Sequence, residues 1–316
     1  MKAMAIDAFG GPERLKAIEV PTPEPEGEEV LIAVACASVN PVDWKIREGM
    51  LADMFPHAFP LIPGWDAAGT VSAAGRNAAR FRQGDRVFAY CRKPEIRFGT
   101  YCEYVAVHES TVALMPANIG FAEAATIPLA GLTAWQSLFD AAKLSAGEKI
   151  LIHAGSGGVG SLAIQFAKYA GATVYTTARA VNHDYVKSLG ADAAIDYSKD
   201  DFVHVLGKRE PGGIDVVYDT IGGHVQQRSY KVLKKGGRLV SVAGIPDPDE
   251  ARPHGVRTDF VFVSPNGTQL RRIAELIESG AVRPADFEVM RLEEAAKAQE
   301  LSRAGHVRGK IVLKVR

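Results

Sequence analysis

The residues in this chain best suited to chemistry are glycines. Gly155, Gly157 and Gly160 stand in the pattern G-x-G-x-x-G within His153-Ala154-Gly155-Ser156-Gly157-Gly158-Val159-Gly160. An apolar run, Ile150-Leu151-Ile152, leads into them, and Leu162, Ala163, Phe166 and Ala170 follow at helical spacing. In a strand–turn–helix unit such glycines do three jobs: one allows the tight turn, one lets backbone approach a pyrophosphate, and one lets the helix pack on the strand. The helix start adds unpaired N–H groups and a partial positive charge. The stretch predicts a dinucleotide site, with Ser156, Gly157, Gly158 and Val159 presenting backbone to the pyrophosphate.

The next strand indicates which dinucleotide. An NAD site usually carries an Asp or Glu about 20 residues after the first glycine, to accept from the ribose 2′-OH. Here the strand Thr173-Val174-Tyr175-Thr176-Thr177-Ala178-Arg179 ends on arginine, with no acid. A carboxylate would repel a 2′-phosphate, whereas a guanidinium pairs with it. Arg179, with Thr177 and His183 as hydrogen-bonding partners, therefore favours NADP(H) over NAD(H); the alternative for Arg179 is a solvated surface side chain.

These residues need a frame. Residues 1 to about 120 read as mostly β, with runs at 30–36, 69–71, 85–90 and 101–107, and the proline-rich 21–25 as extended chain. From about 121 the rhythm changes. Helices are expected at 121–130 and 132–142, joined through Gly131. Strands at 150–153, 173–177, 193–195, 214–219, 238–243 and 259–263 then alternate with helices at 158–170, 183–189 and 225–233. Such alternation implies parallel β-α-β units in one doubly wound sheet. A helix at 268–279, a helix at 292–304 and a strand at 311–313 close the chain. The expected fold is α/β: a Rossmann domain, 122–280, inserted in a discontinuous β-rich domain of residues 1–121 plus 281–316. Ile221, Val242, Ala243 and Gly244 fall at strand ends, outside which ligands of such sheets bind.

Composition sets limits. Lys+Arg and Asp+Glu both number 37, so no charge excess points to nucleic acid. Three cysteines, none in a C-x-x-C pair, suggest a reducing compartment and exclude a four-thiolate zinc site. No apolar stretch is long enough to cross a bilayer, and the N-terminal apolar run is too short for a signal peptide. A cytoplasmic location, with no membrane or nucleic-acid partner, is expected.

In order along the chain stand Ser38-Val39-Asn40-Pro41-Val42-Asp43-Trp44-Lys45, Ile62-Pro63-Gly64-Trp65-Asp66-Ala67-Ala68-Gly69-Thr70-Val71, Gly84-Asp85-Arg86-Val87 and Pro128-Leu129-Ala130-Gly131-Leu132-Thr133-Ala134. The glycine turn, Leu189-Gly190-Ala191-Asp192, Ile195-Asp196-Tyr197, Asp219-Thr220-Ile221-Gly222-Gly223 and Arg308-Gly309-Lys310-Ile311-Val312-Leu313 follow. Together they resemble the zinc-independent quinone oxidoreductase (zeta-crystallin-like) branch of the medium-chain dehydrogenase/reductase superfamily, over nearly the whole chain. The β-rich domain is then GroES-like. Zinc-dependent members place a ligand histidine where this chain has Trp65, and a cysteine near 40–43, where it has none. No bound metal is expected.

The resemblance implies hydride transfer from NADPH to quinones or α,β-unsaturated carbonyls, acceptors already activated without a Lewis acid. Charge then develops on an oxygen, for which Asn40 would be a neutral donor and Lys45 a cation, with Thr133 towards the nicotinamide. Lys45 alternatively is a surface lysine, and Asn40, before Pro41, a turn former. Asp43 positions its loop, Asp66 accepts hydrogen bonds, and Tyr101 packs in the core or, alternatively, gives the proton that solvent otherwise supplies; the donor stays open. By the same resemblance Tyr197 lies near the adenosine 2′-phosphate and Lys310 reaches the nicotinamide. His153 reads as a packed histidine. The apolar run at 259–263 reads as a sheet edge, paired in a homodimer. Two alternatives stay open: a non-catalytic NADPH-binding redox sensor or structural protein, and an alkenal or enoyl-thioester reductase.

Overall fold

The computed structural model describes residues 1–316. The chain divides into two compact units, one of Met1–Leu129, Ser264–Gly280 and Pro284–Arg316, the other of Ala130–Val263 and Ala281–Arg283.

The second unit holds six strands, all parallel, in the order Ala193–Ile195, Thr173–Thr177, Lys149–Ile152, Ile214–Asp219, Leu233–Ser241, Arg257–Phe260. This is the Rossmann strand order, with the topological switch beside Lys149–Ile152. The centre of the sheet is apolar along its length, because helices cover both faces: Leu151, Val217 and Leu239 are fully buried with Tyr175, Phe202 and Tyr230. Helix Gly158–Tyr169 follows the glycine turn and buries Leu162, Ala163, Ile164 and Phe166. A helix not foreseen, Phe202–Arg209, starts where the Asp201 side chain accepts from the Val203 N–H.

The first unit is built on a seven-strand sheet that runs Phe287–Arg291, Lys310–Lys314, Glu29–Val39, Asp66–Ala74, Arg86–Tyr90, Val112–Leu114, with Tyr104–His108 also paired to Glu29–Val39. Its pairs are antiparallel except Phe287–Arg291 with Lys310–Lys314. The last strand of the chain thus lies beside the longest N-terminal one, and the β-rich domain is discontinuous.

Three details depart from the sequence reading. Helices 121–130 and 132–142 are instead Phe121–Ala125 and Pro128–Trp135, the second widening to i→i+5 spacing over Gln136–Ala141. The break falls at Pro128, whose ring disfavours helix in the residue before it, while Gly131 sits inside the helix. The helix predicted at 225–233 is Gly223–Ser229, and the strand predicted at 238–243 begins at Leu233. Helix Gly267–Glu278 groups with the β-rich unit, so the cofactor domain does not run unbroken from 122 to 280. Asn118 donates its side-chain N–H to Ile277 O at 3.0 Å, and a Cβ on Gly267 would sit 2.3 Å from Val112 O; the bare backbone lets the helix start approach.

Candidate functional site

In the nucleotide-binding unit the three glycines of the turn differ in what requires them. A Cβ on Gly155 would fall 2.0 Å from Thr176 Oγ1, and one on Gly160 2.3 Å from Ala154 O. Both are glycine because the chain packs against itself there. A Cβ on Gly157 would meet only Ala154 O, at 3.4 Å, and its backbone is ordinary extended chain at φ −81°. The fold leaves the Gly157 side open, at the N-terminus of a twelve-residue helix. That is the cradle a phosphate needs, and the residues present fit a dinucleotide.

Ala154 holds φ +51°, a left-handed conformation that costs a side-chain-bearing residue about 1 kcal/mol. Its N–H donates to Thr177 Oγ1 at 3.1 Å and Gly155 N–H to Thr177 O at 3.0 Å, which fixes the turn. Thr177 was expected at a 2′-phosphate; instead its hydroxyl is turned under the turn, bonded to Ala154 and to His153 Nδ1 at 3.2 Å. His153 is buried, its other ring nitrogen 2.9 Å from Ser229 Oγ, and burial pushes its pKa down to about 4, against the pull of Asp219. It is a packed, neutral histidine. Arg179 is exposed just past the strand. His183 places Nε2 3.1 Å from Ala178 O, and Asn182 donates to Ser156 Oγ at 3.3 Å, tying this loop to the turn. Tyr197 and Ile221 are each 51% exposed.

In the β-rich unit the predicted residues converge on a buried polar cluster. Asn40 opens helix Pro41–Arg47: its N–H donates to Asp43 Oδ2 at 2.8 Å, and Asp43 N–H donates back to Asn40 O at 2.9 Å. The same Asp43 oxygen accepts from Tyr101 O–H at 2.8 Å. Burial raises the Asp43 carboxyl to about 7, although these bonds and Lys310 pull it the other way. Asp66 accepts from Ser38 Oγ at 2.8 Å, Asn40 Nδ2 at 2.8 Å and Leu129 N–H at 2.7 Å. Lys310, also buried, donates to Val39 O at 2.8 Å and to Asn40 Oδ1, with Asp66 3.5 Å away. Burial lowers its pKa, opposed by the two carboxylates.

Lys310 therefore turns inward, onto Asn40 and Asp66, where the sequence reading sent it towards a nicotinamide. Nothing near Lys310 in sequence signals this, since its partner lies 270 residues away. The Asn40 amide is engaged at both ends, with one N–H left over. No hydrogen bond or ion pair joins Lys45 to the cluster; it is half-buried, with its ammonium 5.6 Å from the Trp44 ring centre. Thr133 is buried in helix Pro128–Trp135. Asp43, Tyr101, Asp66 and Ser38 complete the cluster.

A catalytic zinc does not fit these residues. Trp65 packs on Tyr90 with ring centres 5.9 Å apart, and the oxygens of Asp66 are taken by Ser38, Asn40 and Leu129. No group of three or more His, Cys, Asp or Glu side chains is arranged around a common point. The three cysteines are free and buried, which pushes the thiols up, Cys36 to about 11.

Two family models match the chain: the alcohol dehydrogenase GroES-like domain over residues 26–117 and the zinc-binding dehydrogenase family over 189–313. The chain is 38% identical over 325 residues to the chloroplastic NADPH-dependent alkenal/one oxidoreductase of Arabidopsis thaliana, covering 99% of this chain and 79% of the relative. Its fold matches the quinone oxidoreductase of Coxiella burnetii with TM-score 0.90 at 36% identity, over 100% of this chain and 99% of the other. It also matches the Escherichia coli quinone oxidoreductase complexed with NADPH with TM-score 0.89 at 26% identity, over 100% of both. A GroES-like unit, a Rossmann unit with an open phosphate cradle, and full-length similarity to these enzymes lead to one conclusion: the chain belongs to the medium-chain dehydrogenase/reductase superfamily, in its quinone oxidoreductase branch.

Proposed function

We propose that the protein is an NADPH-dependent reductase that delivers hydride to quinones or α,β-unsaturated carbonyls without a metal. The observation that carries this reading is the cluster at Asp66. In place of a metal set the chain has a buried ammonium, an amide and a hydroxyl around one carboxylate. Such a site suits an acceptor whose conjugation already makes it electrophilic. The bound cofactor supplies hydride from its nicotinamide.

In the nucleotide-binding unit, backbone N–H groups of Ser156, Gly157, Gly158 and Val159 bind the pyrophosphate at the helix start. Arg179 pairs with the 2′-phosphate, flanked by His183 and Tyr197; Thr177 acts from beneath, by holding Ala154. Ile221, Val242, Ala243 and Gly244 line the cofactor's path. In the β-rich unit, Asn40 offers its remaining N–H and Lys45 its charge to the acceptor's developing oxyanion, and Lys310 holds the Asn40 carbonyl so that the amide cannot turn. Thr133 orients the reacting end through its hydroxyl.

The reading includes a homodimer paired through the exposed side of strand Arg257–Phe260, and a cytoplasmic location, supported by three unpaired cysteines. No helix is long and apolar enough to cross a membrane. NADPH oxidation by the purified protein, followed in the presence of ortho- and para-quinones and of simple enones and alkenals, tests the reading. Turnover of at least one class is expected. Tight NADPH binding with no turnover of any acceptor would overturn it in favour of a sensor.

A further inference from the structure

Three loops leave the carboxyl ends of neighbouring strands in the nucleotide-binding unit: the glycine turn after Lys149–Ile152, residues 220–223 after Ile214–Asp219, and residues 242–244 after Leu233–Ser241. One residue at the end of the middle strand is bonded to two of them. Asp219 is fully buried, and the partners of its carboxylate are neutral donors. Its Oδ1 accepts from Ile221 N–H at 3.0 Å and Gly222 N–H at 2.9 Å, which folds back its own loop. Its Oδ2 accepts from Ser241 Oγ at 2.8 Å and Gln226 Nε2 at 2.9 Å. The Ser241 oxygen in turn accepts from Ala243 N–H at 3.2 Å and Gly244 N–H at 3.3 Å, and Gln226 donates also to Gly244 O at 3.0 Å. The neighbouring Thr220 donates its hydroxyl to His153 O at 2.9 Å, at the entry to the glycine turn.

A buried carboxylate without a cation is costly unless several donors satisfy it. Here four do, and each belongs to a loop or to a side chain that holds one. We infer that Asp219 is a positioning residue for the cofactor: through one carboxylate it sets loops 220–223 and 242–244 as a single surface, with Thr220 referring that surface to the glycine turn. This rests on the reading that Ile221 and residues 242–244 lie along the cofactor. A purely architectural acid would stabilise the sheet and leave cofactor affinity alone. Asp219 instead gives Oδ1 to two backbone N–H groups beyond its own strand end, and Oδ2 to Ser241 and Gln226, the two side chains that hold residues 243 and 244.

The test is a fluorescence titration of NADPH into the purified wild type, Asp219→Asn and Ser241→Ala, with backbone amide exchange read in the same samples. Asp219→Asn keeps an oxygen for Ile221 and Gly222 but sets an NH2 against the Gln226 donor. Ser241→Ala keeps the carboxylate and removes only the branch to residues 243 and 244. The dissociation constant for NADPH is expected to rise about tenfold in each, while kcat at saturating NADPH falls less than about threefold and the acceptor KM does not move. Amide exchange is expected to accelerate in residues 242–244 of both variants, and to stay near wild type in residues 220–223, whose acceptor oxygen both variants keep. Folded variants that bind NADPH within about twofold of wild type would overturn the inference; should Asp219→Asn fail to fold, Ser241→Ala decides alone. A wild type that binds NADPH but reduces no acceptor would overturn the acceptor assignment and leave this titration valid.

Discussion

Gly157 is the residue at which the fold and the function separate most cleanly. Its neighbours Gly155 and Gly160 are demanded by contacts within the chain, and Gly157 is not. Gly157→Ala is therefore expected to change folding stability by no more than about 0.5 kcal/mol, and to weaken NADPH by about tenfold or more, because the added methyl stands where backbone must approach a phosphate. Gly160→Ala, with its Cβ 2.3 Å from a carbonyl oxygen, is expected to cost about 1–3 kcal/mol of stability. Thermal midpoints and NADPH titrations on both variants check the contrast, and equal stability losses would contradict it. Arg179 yields a second prediction. Arg179→Ala should raise KM for NADPH by about one to two orders of magnitude and leave KM for NADH within about twofold, since only one cofactor carries the phosphate that a guanidinium recognises. Parallel kinetics with the two cofactors decide it. Both expectations rest on one short stretch of sequence each.

Among the elements, strand Lys149–Ile152 and its turn rest on His153. Its pKa falls from 6.5 to about 4 in the folded protein, so the unfolded chain binds a proton between these values that the folded one does not. Stability of the nucleotide-binding unit should therefore decline as pH drops from about 6.5 towards 4, and be independent of this group above 6.5. Asp43 acts with the opposite sign. Its carboxyl is raised from 3.8 to about 7, so in that window the folded state holds more protons and the β-rich unit gains stability as pH falls. His153→Gln, which keeps polar atoms for Thr177 and Ser229, should flatten the acid decline; an unchanged pH profile of the thermal midpoint would show that other groups cause it. Helix Gly267–Glu278 illustrates the limit of pattern reading. Its apolar rows announce a helix, with Leu270, Ile273 and Ile277 buried, but they do not say which core receives them. That depends on Asn118 reaching Ile277 and on Gly267 meeting Val112 across the chain, which periodicity does not encode.

For the whole molecule, the alternating half of the sequence made the parallel sheet legible, because each β-α-β unit is local. The polar cluster of the β-rich unit was legible only in part. Asn40 and Asp66 stood out within their motifs, but Lys310 joins them over 270 residues, and Tyr101 reaches Asp43 over 58. Contacts of that span follow from how strands are ordered in a sheet, and no motif fixes that order. Strand Phe287–Arg291 escaped notice for a similar reason: apart from Met290 its side chains are mostly exposed, and its backbone is paired with Lys310–Lys314. Strand Arg257–Phe260 ends the six-strand sheet with Phe260 and Phe262 38% and 37% exposed. Phe260→Glu should convert a dimer to a monomer in sedimentation experiments while leaving the thermal midpoint within about 3 °C, as for an exposed substitution of about 0.5 kcal/mol. A wild type that sediments as a monomer would remove the edge-paired dimer.

The placement of strand Lys310–Lys314 beside Glu29–Val39 also bears on biosynthesis. A ribosome releases the segment Ala130–Val263 whole before it makes Lys310–Lys314, so the Rossmann unit can form while the chain is still being made. The GroES-like unit cannot finish then: until the final strand emerges, Asp66 lacks its lysine and the long N-terminal strand lacks a neighbour. A buried carboxylate without its cation is strongly unfavourable. The nascent protein can thus hold a folded Rossmann unit while its GroES-like unit is unfinished, and losing Lys310–Lys314 would leave the Rossmann unit sound while preventing the GroES-like unit from closing.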